Sequence, residues 1–149
     1  MSEAQKLKFI KSTSNEDINN IYNFNVQAFA DSATAEWSEQ TIKAEIKDGW
    51  SLYSVQYEGD IVAAIFMKEV DKQLLTKNTP IKMEFQGNGF SHRIKDFYEE
   101  FAADNKIETI VNYCPADSFR LISLNERHDY EKTGNVVNDT IEWKKELNK

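Results

Sequence analysis

The stretch from Ile81 to Phe101, IKMEFQGNGFSHRIKDFYEEF, restricts what this chain can fold into more than any other. Ile81, Met83 and Phe85 alternate with Lys82 and Glu84, which predicts a strand with one buried face. Gly87 and Gly89 follow, two residues that accept φ > 0 and let a ligand approach bare backbone. From Ser91 onward Ile94, Phe97, Tyr98 and Phe101 recur at three- and four-residue spacing, one face of a helix. A glycine turn feeding a helix start leaves several N–H groups without intrahelical partners at the positive end of the helix dipole. Such a place suits a phosphate or pyrophosphate.

The rest of the chain sets the frame for that turn. Its 149 residues are expected to form a single domain, 1–149, with 40% hydrophobic and 29% charged residues, a globular balance. No apolar run approaches the ~20 residues of a membrane span. The opening MSEAQKLKF has no apolar core of a secretory signal, and Cys114 stands alone, so a reducing, cytoplasmic location is expected. A net charge of −7 argues against nucleic acid or an anionic membrane as partner and mildly favours cationic substrates such as amines.

In chain order, Lys8 to Lys11 reads as a short edge strand, and Ser14 with Asp17 as a helix N-cap before Ile18, Ile21, Tyr22 and Val26. Ser38 opens a second helix that Gly49 closes. Trp50 to Tyr57 and Ile61 to Met67 form a hairpin around Glu58-Gly59-Asp60, the second strand apolar enough to be covered on both faces. Leu74 begins the strand expected to run into Phe85, with Pro80 forcing a bulge or a break. Ile107 to Tyr113 is a strand, and Asp117 or Ser118 caps a helix through Leu121, Ile122 and Leu124. Tyr130 to Val137 and Thr140 to Leu147 close the chain. The order β-α-α-β-β-β-α-β-α-β-β predicts an α+β fold around a mixed, mostly antiparallel central sheet flanked by helices.

Two familiar phosphate motifs are not met. His92 stands where the dinucleotide fingerprint needs its third glycine, and no Gly-Lys-Ser/Thr follows as in a P-loop. Gln86-Gly87-Asn88-Gly89-Phe90-Ser91 instead resembles the Q/R-x-x-G-x-G/A motif of the GNAT superfamily, the acyl-CoA-dependent N-acetyltransferases. Gln86 and Gly89 match, and Ser91 replaces the final small residue. The element order resembles that family over the whole chain. The segment from Ser118 to Tyr130 is similar to the family's N-x-x-A-x-x-L-Y-E-K-x-G-F: Leu124, Glu126 and Arg127 sit at its Leu, Glu and Lys, and Tyr130 at its Phe. The departures are Ser118 for Asn, Leu121 for Ala, Asp129 for Gly, and Asn125 for the aromatic hydroxyl that often reprotonates the CoA thiolate.

The resemblance implies an N-acetyltransferase that passes the acetyl group of acetyl-CoA to a primary amine of a small molecule or peptide by direct attack. The alternative is a non-catalytic acyl-CoA-binding or regulatory module, because Asn125 cannot lose a proton. It further implies that Gln86, Gly87, Asn88, Gly89, Phe90 and Ser91 hold the pyrophosphate, and that the pantetheine arm adds beside Ile81 and Met83, with Asn125 nearby. The two central strands should splay to admit that arm, and an N–H near Ile81 should meet the carbonyl oxygen. Tyr113 is the expected proton donor, and Glu84 or Glu69 the base. His92, Arg93 and Lys95 are charges within reach of the CoA phosphates. The loop Ala30–Trp37 and the turn Asn135–Asp139 should line the amine pocket, with Asp31, Glu36 and Asp139 attracting a cation. Homodimers are common in that family. Cys114 lacks an evident His partner for nucleophilic work, and His92, His128 and one cysteine do not make a familiar zinc set, so no metal is expected.

Overall fold

The computed structural model describes residues 6–12, 14–24, 39–78, 81, 85–137 and 140–147. Its elements run β1 (Lys8–Lys11), α1 (Asn15–Phe24), α2 (Glu39–Lys47), β2 (Ser51–Tyr57), β3 (Asp60–Val70), β4 (Gln73–Asn78), α3 (Phe90–Asp104), β5 (Thr109–Pro115), α4 (Phe119–Arg127), β6 (Glu131–Val137) and β7 (Thr140–Glu146). This is the expected order. One seven-stranded sheet runs β1-β2-β3-β4-β5-β7-β6, antiparallel except where β4 lies parallel to β5.

Local chemistry accounts for the element ends. Ser14 Oγ accepts the Asp17 amide at 3.1 Å, capping α1 as the sequence predicts. Glu58 and Gly59 both take positive φ, 50° and 87°, so the β2–β3 turn twists with its strands. Asp71 and Lys72 do the same, at 48° and 64°, and close the β3–β4 hairpin with a two-residue turn. Val62 to Met67 are buried without interruption, as a strand covered on both faces should be.

The two sheet faces carry different cores. Alternation along β5 sends Ile110, Asn112 and Cys114 to one side and Val111 and Tyr113 to the other. On the first side Leu74, Ile110 and Cys114 pack with Phe90, Ile94 and Tyr98 of α3 and Leu121 of α4. On the second, Ile18, Ile21 and Ile42 of α1 and α2 cover Leu52, Ala64 and Phe66, with Leu75 and Tyr113 at the margin. Ile94 and Phe90 are at most 2% exposed, and burying each such side chain is worth about 1.5–3 kcal/mol. Helix α3 is thereby fixed to the sheet, and its first turn with it.

The strand expected to run from Leu74 to Phe85 stops at Asn78, and neither Ile81 nor Phe85 lies in a strand. A proline at position 80 has no N–H for a ladder, which is reason enough for an early end. Helix α3 begins at Phe90 rather than Ser91, and β5 is shifted two residues toward the C-terminus of the expected strand.

Candidate functional site

The β4–β5 ladder pairs Gln73 with Thr109, Leu74 with Ile110, Leu75 with Val111 and Thr76 with Asn112, and there it ends. Beyond that point β4 stays bonded to β3 as far as Asn78, and β5 stays bonded to β7 as far as Pro115. The two central strands therefore part company in the middle of a sheet that is otherwise continuous. A gap of this kind leaves N–H and C=O groups without strand partners, which an extended ligand can use as an added strand does.

A buried polar chain sits at the closed end of the gap. Thr76 Oγ1 donates to the Val111 carbonyl at 2.7 Å, and Asn112 Nδ2 donates to Thr76 Oγ1 at 3.1 Å. Asn125 Nδ2 donates to Asn112 Oδ1 at 3.0 Å, and Lys95 Nζ donates to Asn125 Oδ1 at 2.6 Å. All four side chains are at most 3% exposed. Lys95 also lies 4.1 Å from the centre of the Tyr130 ring, a cation–π distance. Burial pushes the Lys95 ammonium down from its ordinary 10.5 to about 7; neighbouring Cys114 and Glu99 oppose that shift and Lys145 adds to it.

The glycine turn stands at the mouth. Gly87 and Gly89 take φ of 87° and 77°, the left-handed region that the sequence assigns to them. Gly89 is the N-cap of α3, and no side chain caps the helix. No carboxylate occupies the first turn of α3, and among the described residues the amides of Gly89, Phe90, Ser91 and His92 meet no protein acceptor. Gln86 and Asn88 turn their side chains inward to hold the loop: Gln86 Nε2 donates to the Ile81 carbonyl at 2.9 Å and Asn88 Nδ2 to the Phe85 carbonyl at 3.1 Å.

These amides open on a groove of about 610 Å³ between the turn and α4. Ile81, Gln86, Gly87, Gly89, Phe90 and Ser91 line it, and His92 with them. Helix α4 supplies the facing wall through Phe119, Arg120, Leu124 and Arg127. The two arginines bring positive charge to the wall, and Phe119, 81% exposed, brings a flat apolar ring. The sequence reading passed over these three. Their spacing holds a signal, since Arg120 and Arg127 stand seven residues apart and so lie two turns along one helix face.

Other expected site residues stand elsewhere. Asn125 does not line the groove; it is fully buried in the chain at the gap's closed end, because an amide placed there completes Lys95 and Asn112. Lys95 points inward with it rather than toward an anion, and Arg93 spans to Glu100 at 2.8 Å and lies over the Phe9 ring. Asn88 is exposed outside the groove lining. Cys114 is buried in the core between sheet and helices. Met83 and Glu84, the loop Ala30–Trp37 with Asp31 and Glu36, and Asp139 lie outside the described residues. Glu69 lies on β3 opposite Leu74, on the paired side of the gap's closed end rather than beyond it.

Tyr113 lies on β5 one residue past the last β4 pair, on the sheet face that carries α1 and α2. Its ring meets Trp50 edge-on at 6.4 Å. Across the gap on the same face, Lys77 pairs with Glu45 at 2.6 Å and lies 4.5 Å over the Trp50 ring. Burial, and secondarily Glu142 on β7, raise the Tyr113 hydroxyl above its ordinary value. A phenol in that state holds its proton, so it can donate and does not serve as a base.

A sheet split between its two central parallel strands, with an uncapped glycine turn at the mouth, is the arrangement that the GNAT resemblance implies. Solved structures bear this out. A PaiA N-acetyltransferase from Thermoplasma acidophilum, in complex with coenzyme A, superposes with a TM-score of 0.72 at 11% identity, covering 95% of this chain and 99% of that one. A GNAT family acetyltransferase from Elizabethkingia anophelis with acetyl-CoA bound gives 0.68 at 13% identity over 95% and 99%. An acetyltransferase from Streptococcus agalactiae gives 0.74 at 15% over 96% and 99%. No protein-family model matches the sequence, and no curated protein is significantly similar to it. The chain has the GNAT fold.

Proposed function

We propose that this protein is an acyl-CoA-dependent N-acetyltransferase that moves the acetyl group of acetyl-CoA to a primary amine of a small molecule or peptide. The observation that carries this reading is the opened β4–β5 ladder beside the unpartnered amides of Gly89 to His92. Those amides and the Ser91 hydroxyl suit a pyrophosphate, with Arg120 and Arg127 adding charge from the facing helix. The solved relatives with coenzyme A or acetyl-CoA bound support the same ligand here. No helix among the described residues is long and apolar enough to cross a membrane, which fits a water-borne donor.

In this reading the arm of acetyl-CoA enters the gap and its thioester meets the amine on the α1–α2 face. The amine nitrogen attacks the thioester carbonyl, charge grows on the carbonyl oxygen, and the C–S bond breaks to release a thiolate. An N–H near Ile81 is assigned to the carbonyl oxygen. Tyr113, held protonated on the acceptor face, is assigned to return a proton to the sulfur, and Glu84 to take one from the amine. Trp50 and the Lys77–Glu45 pair bound the acceptor side and are placed to select the amine.

The test is titration calorimetry with acetyl-CoA, followed by thiol release across a panel of amines. Binding with turnover of at least one amine is expected. Absence of both heat and a melting shift at saturating acetyl-CoA removes the reading. Binding with no thiol release from any amine would favour the second reading, a non-catalytic acyl-CoA module, which the buried Asn125 at the place of the family's acid motivates.

A further inference from the structure

A further cluster of potential ligands, His92 of the groove lining among them, lies where α3 meets the end of α4. His92, Asp96 and Glu99 stand at i, i+4 and i+7 on α3 and so share one face of that helix. His128, the C-cap of α4, meets that face from the other side. One ligand atom from each of Asp96, Glu99 and His128 lies within 4.8 Å of the other two. His92 Nδ1 is 2.7 Å from His128 Nε2, their rings tilted at 36° with centroids 4.9 Å apart.

We propose that His92, Asp96, Glu99 and His128 form a binding site for one divalent transition-metal ion of the zinc class, clipping α3 to α4. Two imidazoles and two carboxylates are a donor set that zinc, cobalt and nickel accept, whereas calcium and magnesium prefer oxygen alone. The geometry is close to what a tetrahedral ion needs. Ligands at about 2.0–2.1 Å from such an ion stand roughly 3.3 Å apart. The imidazole nitrogens must therefore part by about 0.6 Å, and the ligand atoms of Asp96, Glu99 and His128 must close on one another by about 1.5 Å at most. Asp96 is exposed and Glu99 half-exposed, so rotation about their side-chain bonds suffices.

Two lysines stand near the site, Lys145 engaged with Glu99 and Lys95 turned to Asn125. Glu99 Oε1 is held by Lys145 Nζ at 3.1 Å, a partly exposed pair of the kind worth little on its own. The nearby Lys95 directs its Nζ to Asn125. The pieces come from distant parts of the chain, 36 residues apart at the two histidines, so an ion would tie together the helices that wall the groove. The site does not depend on the acyl-CoA reading, because its ligands can be tested without any CoA present.

The full chain, stripped with a chelator, would be titrated with ZnCl₂ by calorimetry and with CoCl₂ by visible absorption. One ion per chain is expected, with a cobalt spectrum of low coordination number and a melting temperature raised by either metal. His128→Ala and Asp96→Asn should each weaken zinc binding roughly tenfold or more. His92→Gln alters an exposed position, and its expected loss of affinity and changed cobalt spectrum keep the test open should His128→Ala fail to fold. No saturable binding, or binding that these substitutions leave unchanged, overturns the proposal.

Discussion

The stability difference between Lys95→Met and wild type should depend steeply on pH. The lysine is 2% exposed and its ammonium is pushed down from 10.5 to about 7, mainly by desolvation. In the unfolded chain the same group keeps its ordinary value, so between pH 7 and 10.5 the unfolded state binds the extra proton. Stability therefore rises with pH through that window, and below pH 7 the cost of burying the charge is present in full. At 1.36 kcal/mol per pKa unit that cost is roughly 5 kcal/mol. Methionine removes it but leaves Asn125 Oδ1 without the donor now at 2.6 Å, a loss of about 1–3 kcal/mol. At pH 6 Lys95→Met should be the more stable protein by roughly 2–4 kcal/mol. Between pH 6 and 9 that advantage should shrink by roughly 3 kcal/mol, since just over half of the wild-type penalty is relieved over the two units above 7. Urea unfolding of both proteins at pH 6, 7, 8 and 9, in buffer containing a chelator, measures this as a difference in which other titrating groups cancel. Tyr98 and Tyr130, whose hydroxyls are raised by burial, lose stability only at higher pH. A ΔΔG that stays flat from pH 6 to 9 would refute the reasoning, because it would mean that Lys95 carries the same charge folded and unfolded.

Four further outcomes are expected. Gly89→Val forces a β-branched residue to φ 77°; it should cost about 1–3 kcal/mol in thermal unfolding and abolish acetyl-CoA binding by calorimetry. Arg127→Ala and Arg120→Ala should each weaken acetyl-CoA binding roughly tenfold, about 1.4 kcal/mol, with a smaller salt dependence than wild type, read by titration at two ionic strengths. Tyr113→Phe should lower kcat roughly 10²-fold while KM for acetyl-CoA hardly moves, as removal of a proton donor does. The wild-type pH–rate profile should show no falling limb near neutrality from Tyr113, since its hydroxyl is raised and stays protonated.

The order of elements was readable because each carries its own period. Ile94, Tyr98 and Phe101 recur as a helix face must, and Val62 to Met67 are apolar throughout as a doubly covered strand must be. The glycine turn was readable because only glycine takes φ near 80° freely, and Gly87 and Gly89 both do. The end of β4 was harder to place. Ile81, Met83 and Phe85 alternate well, but alternation says nothing about where the neighbouring strand ceases to pair. Lys95 was misread for a related reason. Its spacing to Tyr98 and Ala102 puts it on the buried stripe, yet a lysine is ordinarily solvated, and the distant Asn125 and Tyr130 help make its burial tolerable. Arg120 and Arg127 form a wall only once α4 is laid across from the turn, a relation no local pattern encodes.

The rift between β4 and β5 bottoms out on a hydroxyl and two carboxamides rather than on methyl groups. Its floor is thus a polar surface whose side chains are already hydrogen-bonded to one another. A hydrocarbon tail pushed that deep would gain no greasy contact and would have to break the carboxamide hydrogen bonds to go further. The depth of the opening is set by those three side chains, and enlarging it means rewriting them together rather than trimming any one.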